Sequence, residues 1–316
     1  MPSSTACWSR PTTPHAGPSA SSASTRRSDD VAIGDFHLHS TASDGVQSPA
    51  WVMERAAANG VRILSLTDHD TTDGLPEAAA AAARLGLRLI PGVEISTEVG
   101  KADVHLLGFG FDPAGRRLQE FFRWQREGRL ARVEKIVSIL RDHGMPLETK
   151  RVFEIAGEAT VGRPHVARAL LEKGYVASVQ EAFDRWLGNG KPADVNREKL
   201  DPKDAIAIIH EHGGVVFVAH PVYIGENYPE VIRHLRDLGA DGLETYYKHY
   251  PADVIAAHAA LAADLGMAAS GGSDYHGLGN PDDRDIGDIP FPDDRVDAFV
   301  RFIDANCACG AMEGAL

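Results

Sequence analysis

Three cysteines in 316 residues cannot staple a chain of this size. Cys7 lies near one end and Cys307 and Cys309 near the other, so no disulfide framework is implied. Asn306, Ala308 and Gly310 flank the Cys307/Cys309 pair and supply no further metal ligand, so that segment reads as plain tail. No apolar run approaches the roughly 18 residues that span a bilayer, which excludes a helical membrane protein. Positive charge is also short: 32 Lys and Arg against 45 Asp and Glu leave a net charge of −13. That is the wrong sign for a protein that coats duplex nucleic acid with its whole surface, though it permits a local basic patch. With no disulfide framework and no signal-like apolar segment, a reducing cytoplasm is the expected compartment.

What the chain has is 14 histidines, against 7 tyrosines and 4 tryptophans, and their positions matter more than their number. Residues 1–30 are rich in Ser, Thr, Pro and Ala, bury almost nothing and read as a disordered tail. From Val31 a short apolar run ends at His37. A helix follows with Ser48 as N-cap, Pro49 at its first position and Gly60 beyond its end. Strand candidates Val61–Thr67, Leu87–Val93 and Val104–Phe111 come next, the first two separated by a helix from Pro76 to Leu85. Strands alternating with helices predict a parallel α/β sheet or barrel.

The alternation stops after Phe111. Arg116 to His143 carries apolar residues at helical spacing and reads as one long amphipathic helix, ended by Gly144 and Pro146. Two shorter helices follow, one from Pro164 to Gly174 and one opened by the capping pair Ser178 and Glu181 and closed by Gly188. The alternation resumes with a helix over Pro202–His212, strands Val215–Ala219, Asp241–Thr245 and Met267–Gly271, and helices between them. The fold class expected is α/β: a distorted (β/α)7 TIM-like barrel with an all-helical insertion domain. Its parts are a tail over 1–30, a barrel over 31–112 and 201–300, the insertion over 113–200, and a C-terminal helix end and tail over 301–316.

Histidines and acids gather at the strand ends. His37 and His39 form an H-x-H after the first strand, with Asp44 in the next loop. Asp68, His69 and Asp70 follow the second strand, Glu94 the third, and His105 lies in the fourth. His220 follows the fifth strand, Glu244 ends the sixth, and Asp274 and His276 form a D-x-H after the seventh. In a parallel barrel those ends open onto one face, and alternate residues of an extended segment point the same way. Imidazole with carboxylate suits Zn, Mn or Fe. His37, His39, Asp44, His69, Glu94, His105, His220, Asp274 and His276 are too many for one ion, which takes about four to six ligands. They suffice for two or three. Asp68, Asp70 and Glu244 are read as groups that orient ligand imidazoles, with solvated loop acids as an equal alternative. His210, His212, His234 and His258 fall within helical patterns and are expected on the surface, and His143 at a helix C-terminus.

The segments DFHLHSTASDG, LTDHDTTDG, PGVEIST, VHLLGFG, VAHP and GGSDYHG resemble, in order, the motifs of the PHP (polymerase and histidinol phosphatase) family, over nearly all of residues 33–290. GRPHVA, inside the helical insertion, is similar to the branch of 3′,5′-nucleoside bisphosphate phosphatases that also trim short oligoribonucleotides from the 5′ end. The resemblance implies a trinuclear centre on a distorted seven-stranded barrel. Mn2+ is the expected ion, with Zn2+, Fe2+ and Mg2+ as alternatives. It implies that His37, His39, Glu94 and Asp274 hold one ion and Asp44, His69 and His276 a second. His105 and His220, with Glu94 bridging, would hold the third.

Such a cluster neutralises phosphoryl oxygens, lowers the pKa of water and aligns in-line attack. The expected reaction is attack of a metal-bridging hydroxide on phosphorus, with no protein side chain as nucleophile. Residues 114–200 carry 17 Lys and Arg against 12 Asp and Glu, so an acidic protein has a basic insertion. Arg163 and His165 begin a helix, where free N–H groups favour an anion, and the resemblance assigns them the phosphate that is not cleaved. Lys191 is a weaker candidate for the same role. Arg116, Arg123, Arg126 and Arg132 read as a solvated helix face, Asp194 as an acid that alters nucleotide preference, and Tyr246 and Tyr247 as either stacking or core groups. The expected partner is a small nucleotide or short oligoribonucleotide, with no membrane and no duplex nucleic acid. A phosphatase for another small ester, such as histidinol phosphate, or a nucleotide-binding module without catalysis are the alternatives. C–N hydrolysis of the amidohydrolase kind would call for a strand-end lysine among the ligands, and the pattern offers none.

Overall fold

The computed structural model describes residues 32–308, apart from 101, 158, 189, 196–199, 249 and 280–282. The tail over 1–30 and the segment beyond Ala308 lie outside the described residues. Seven strands form one sheet in chain order: β1 (Gly34–Asp35), β2 (Ile63–Leu66), β3 (Arg88–Val99), β4 (Ala102–Phe109), β5 (Val215–Val218), β6 (Gly242–Tyr247) and β7 (Ala268–Gly272). The ends of the sheet nearly meet, because the Phe36 N–H donates to the Gly271 carbonyl at 3.1 Å and Leu38 bridges Tyr275. Buried Asp35 fastens this seam by accepting from the N–H groups of Ser273 and Gly287.

One strand departs from the parallel expectation. β4 is antiparallel to both β3 and β5. No helix separates β3 from β4, and a crossover of a dozen or more residues is what a parallel pair needs. Gly100, at φ 63, instead turns the chain straight back.

Helices α1 (Pro49–Asn59) and α2 (Leu75–Leu85) cover the β1–β2 side. Ser48 caps α1 by accepting from the Trp51 N–H, and Gly60 ends it in the left-handed conformation. After β4 comes α3 (Arg116–Asp142), followed by α4 (Thr149–Ala156), α5 (Arg163–Glu172) and α6 (Val179–Ala182), which continues as a π-helical turn over Phe183–Leu187. The sequence pattern did not show α4, where a single side chain, Val152, is fully buried.

The 27 residues of α3 extend about 40 Å. Leu118 and Phe122 in its first half pack with the β3–β5 core. Val133, Ile136, Val137 and Leu140 in its second half pack with Val152, Val166 and Leu170 of α4 and α5 in a separate core. Arg126 and Arg132 are not solvated as their pattern implies: Arg126 donates to the Asp70 carbonyl and Arg132 to the Val195 carbonyl.

The barrel is completed by α7 (Pro202–Glu211), α8 (Tyr228–Asp237), α9 (Ala252–Asp264) and α10 (Asp293–Asn306). Phe299 of α10 lies 4.2 Å, 5.3 Å and 5.4 Å, ring centre to ring centre, from Phe36, Phe109 and Phe217. With Ile63, Ile90 and Val215 at the N-terminal ends of β2, β3 and β5, these rings fill one end of the barrel. Among the described residues no helix is long and apolar enough to cross a membrane.

His258 corrects a reading made from spacing alone. It is fully buried on α9, its ring 5.3 Å from those of both Tyr228 and Tyr250. Burial pushes its pKa down to about 4, so it is neutral at neutral pH. The unfolded chain protonates this histidine near pH 6.5 and the folded one only near 4, so stability falls as pH drops through that window. His258→Phe should remove up to about 3 kcal/mol of that loss, read as a flatter dependence of unfolding free energy on pH between 6.5 and 4.

Candidate metal centre

Glu94 is the point on which the strand-end residues converge. It sits in the middle of β3, 1% exposed, and its two carboxylate oxygens face two sets of imidazoles. Oε2 lies 3.3 Å from His37 Nε2, 3.2 Å from His39 Nε2 and 3.1 Å from His69 Nδ1. Oε1 lies 2.7 Å from His105 Nδ1 and 3.0 Å from His220 Nε2. The local folding explains this convergence. His69 pairs with Glu94 as an isolated parallel bridge at the end of β2. The antiparallel register places His105 opposite Ser96, one diagonal step from Glu94. At Gly92 a Cβ would fall 2.0 Å from Ser65 Oγ, so glycine lets β3 close on β2.

Asp274 and Asp44 extend the cluster. Asp274 Oδ1 is 3.1 Å from His39 Nε2, 3.4 Å from His37 Nε2 and 3.5 Å from His276 Nδ1. Asp44 Oδ1 is 3.2 Å from His276 Nε2, and its Oδ2 is 3.8 Å from His69 Nε2. Three sets of side chains could each hold an ion: His37, His39, Glu94 and Asp274; His39, Asp44, His69 and His276; and His69, Glu94 and His105. Ligands that share an ion at bonds of about 2.1 Å lie roughly 3.0–3.4 Å apart, the spacing seen here. Buried nitrogens of His37 (Nε2), His39 (Nδ1 and Nε2), His69 (Nδ1) and His220 (Nδ1) have no hydrogen-bond partner. Uncompensated polar atoms of this kind are costly in a protein interior and suit a cation.

The electrostatics agree. Burial pushes the Glu94, Asp44 and Asp274 carboxyls up, but neighbouring imidazoles, with Lys248 beside Asp274, hold all three well below the carboxylate range. Burial likewise lowers His39, yet the Asp274 and Glu94 carboxylates beside it carry it up to about 10. For His69 burial wins, and its pKa falls to about 3. The cage thus contains permanent negative charge that recruits positive charge.

Several sequence-predicted roles are redistributed. Glu244 contacts an imidazole, with Oε1 2.9 Å from His37 Nδ1 and Oε2 accepting from the His220 N–H. Asp68 does not; it accepts from Ser40 and Ser43 and so fixes the loop that carries Asp44. Asp70 pairs instead with buried Arg129 at 2.7 Å, tying α3 to the barrel. Asp194 accepts from the Gly190 N–H and holds a turn of the insertion.

Beside the cluster lies a cavity of about 360 Å³ whose wall includes His105, His220 and Asp274, together with Arg163 and Phe183 from the insertion. Arg163 donates to the Leu187 carbonyl and pairs with Asp103 at 3.5 Å. His165 does not line this cavity; it is 1% exposed, its Nδ1 accepts from the Gly162 N–H, and burial lowers its pKa to about 4. Lys191 is exposed and is not among the residues that line the cavity. Tyr246 stacks on Phe291 in the core, whereas Tyr247 lines the cavity. Pattern reading missed Tyr223, 60% exposed on the cavity rim, and Arg168, which donates to the Asp44 carbonyl at 2.8 Å. It also missed Lys248, whose ammonium lies 3.0 Å from Asp274 Oδ2.

Comparison with known proteins fits this geometry. Residues 35–188 match the family model of the PHP domain. A 5′-3′ exoribonuclease of Haemophilus influenzae is 38% identical over 77% of this chain and 89% of its own length. The chain belongs to the PHP family. A 3′,5′-nucleoside bisphosphate phosphatase of Chromobacterium violaceum is 36% identical over 81% of this chain and 92% of its own. A solved structure from the same organism, described as an amidohydrolase with bound sulfate and no metal, superposes with a TM-score of 0.80 at 33% identity, covering 89% and 99% of the two chains. A proposed metal-dependent phosphoesterase of Bifidobacterium adolescentis gives 0.76 at 29% identity, covering 85% and 95%. This PHP protein is a metal-dependent phosphoesterase, a hydrolase of phosphate ester bonds. Because Glu94 contributes to two of the three sets, Glu94→Gln should lower the number of divalent ions bound per chain, counted by elemental analysis after dialysis. An unchanged count would remove Glu94 from the ligand set.

Proposed function

We propose that this PHP protein releases phosphate from 3′,5′-nucleoside bisphosphates and trims short oligoribonucleotides from the 5′ end. The observation that carries this reading is Arg163, which stands on the cavity wall together with His105, His220 and Asp274 of the cluster. A substrate with two phosphates could thus present one to the cluster and the other to a guanidinium able to grip it through two parallel bonds. The relatives from Haemophilus influenzae and Chromobacterium violaceum, named for those two activities, support the same reading. The proposed ligands are His37, His39, Glu94 and Asp274 for one ion, Asp44, His69 and His276 for a second, and His105 and His220 with Glu94 for a third, with Mn2+ as the ion. When bound, such ions neutralise phosphoryl oxygens and bring the pKa of water towards ~7.

The chain's own residues set the rest. Glu244 orients His37 and fixes the backbone at His220. Asp68 holds the loop that presents Asp44. Asp103 holds Arg163 towards the cavity, and His165, by accepting from Gly162, fixes the helix start from which Arg163 projects. Tyr223 and Phe183 offer aromatic surface to a base on the same wall. A second reading, cleavage of a cyclic phosphate diester, is favoured by a relative from Eggerthella lenta. That protein, a phosphoribosyl 1,2-cyclic phosphate 1,2-diphosphodiesterase, is 32% identical over 78% of this chain and 94% of its own.

Product analysis separates these readings: inorganic phosphate from adenosine 3′,5′-bisphosphate, AMP or histidinol phosphate, a ring-opened monoester from a cyclic phosphate ester, and mononucleotides from 5′-phosphorylated oligoribonucleotides. Turnover of the bisphosphate and of oligonucleotide 5′ ends is expected, and turnover of histidinol phosphate alone would reverse the assignment. Arg163→Ala should raise KM for the bisphosphate by about tenfold or more while changing KM for AMP little. Equal effects on the two would remove Arg163 from the second-phosphate role.

A further inference from the structure

Four residues other than glycine, among those described, adopt positive φ: Asp70, His220, Lys248 and Asp274. All four stand at strand ends around the cluster. His220 and Asp274 belong to the ligand-type residues, and Asp70 anchors the insertion through Arg129. Lys248, at φ 41, has no role so far. It immediately follows β6, and its N–H donates to the Gly272 carbonyl of β7, which holds the strained backbone in place. A glycine would adopt this conformation without conflict, yet the position carries a long cationic side chain.

That side chain reaches the centre. Its ammonium lies 3.0 Å from Asp274 Oδ2, the same oxygen that accepts from the Tyr247 hydroxyl at 2.7 Å. It also stands 5.1 Å from the centre of the Tyr247 ring. Asp274 is therefore divided: Oδ1 faces the imidazoles of His37 and His39, and Oδ2 faces Lys248 on the cavity side. Lys248 lines the cavity together with Arg163, and each of these cations is held by a carboxylate, Asp274 for one and Asp103 for the other. An ammonium carries three donors, so a bond to Asp274 leaves two for a ligand.

We propose that Lys248 binds the phosphoryl group that undergoes cleavage, donating to its oxygens from the side of the cavity while it keeps its bond to Asp274. A phosphate ester dianion is a stronger attractor for a buried ammonium than water, and the cavity places Lys248 next to the atoms that face the cluster. The assignment holds for any phosphate ester the site accepts, so it stands or falls apart from the bisphosphate reading.

The test is the affinity of the metal-loaded protein for inorganic phosphate, measured by titration calorimetry, in the wild type and in Lys248→Met, Lys248→Arg and Lys248→Gly. Metal per chain and melting temperature are recorded for each. Lys248→Met should weaken phosphate binding about ten- to a hundredfold with the metal count unchanged, and Lys248→Arg should restore part of it. Lys248→Gly should bind phosphate as poorly as the Met variant while melting at or above the wild-type temperature, because it relieves the backbone at φ 41. A phosphate affinity within twofold of wild type in Lys248→Met would overturn the proposal. So would a fall in metal content parallel to the loss of binding, which would make Lys248 a support for Asp274, or a wild type that binds no phosphate.

Discussion

A buried carboxylate needs compensation, and Glu94 finds it in five imidazoles at 2.7–3.3 Å. An isolated charge in a protein interior is expensive, and imidazoles packed without donors or acceptors for their nitrogens add to that expense. The two problems solve each other only if positive charge is shared among them, as protons or as ions. Much of the barrel is arranged to make this arrangement reachable. β3 is the longest strand at 12 residues, β4 turns back so that His105 comes alongside, and the bridge at His69 brings in the end of β2. Positive φ at His220 and Asp274 then aims the last two contributors, at a backbone cost of order 1–3 kcal/mol each.

The insertion is joined to this centre by charge as well as by packing. Arg129 pairs with Asp70, Arg168 donates to the Asp44 carbonyl, Arg163 pairs with Asp103, and the Thr160 N–H donates to the Ala42 carbonyl. Each contact joins a residue of the α3–α5 segment to a loop or strand that also carries a cluster residue. The basic composition of residues 114–200 is thus used partly as an anchor. A pair such as Arg129 with Asp70, buried midway along α3, contributes more to geometry than to net stability.

The barrel, the long helix and the ligand-type residues were legible because their signals are periodic. H-x-H and D-x-H put both side chains on one side of an extended chain, and apolar spacing from Leu118 to Leu140 marks a single helix. What escaped has no period. The direction of β4 depends on Gly100 and the absence of a crossover, which a strand pattern does not encode. His258 lies on a helix whose other face is mostly alanine, so hydrophobic spacing could not show which side turns inward. Arg126 and Arg132 have ordinary surface spacing, and only the fold supplies the carbonyls that receive them. Lys248 is one residue after a strand, and its importance comes from a backbone conformation that sequence does not announce.

The aromatic filling by Phe36, Phe109, Phe217 and Phe299 closes the barrel at the end opposite the cluster. Among the described residues, access to the cluster therefore lies at the other end, on the side of the cavity lined by Arg163, Tyr223 and Lys248. Anything that fills that cavity would also stand between the cluster and solvent, so occupancy of the cavity and exchange at the cluster are coupled by position alone.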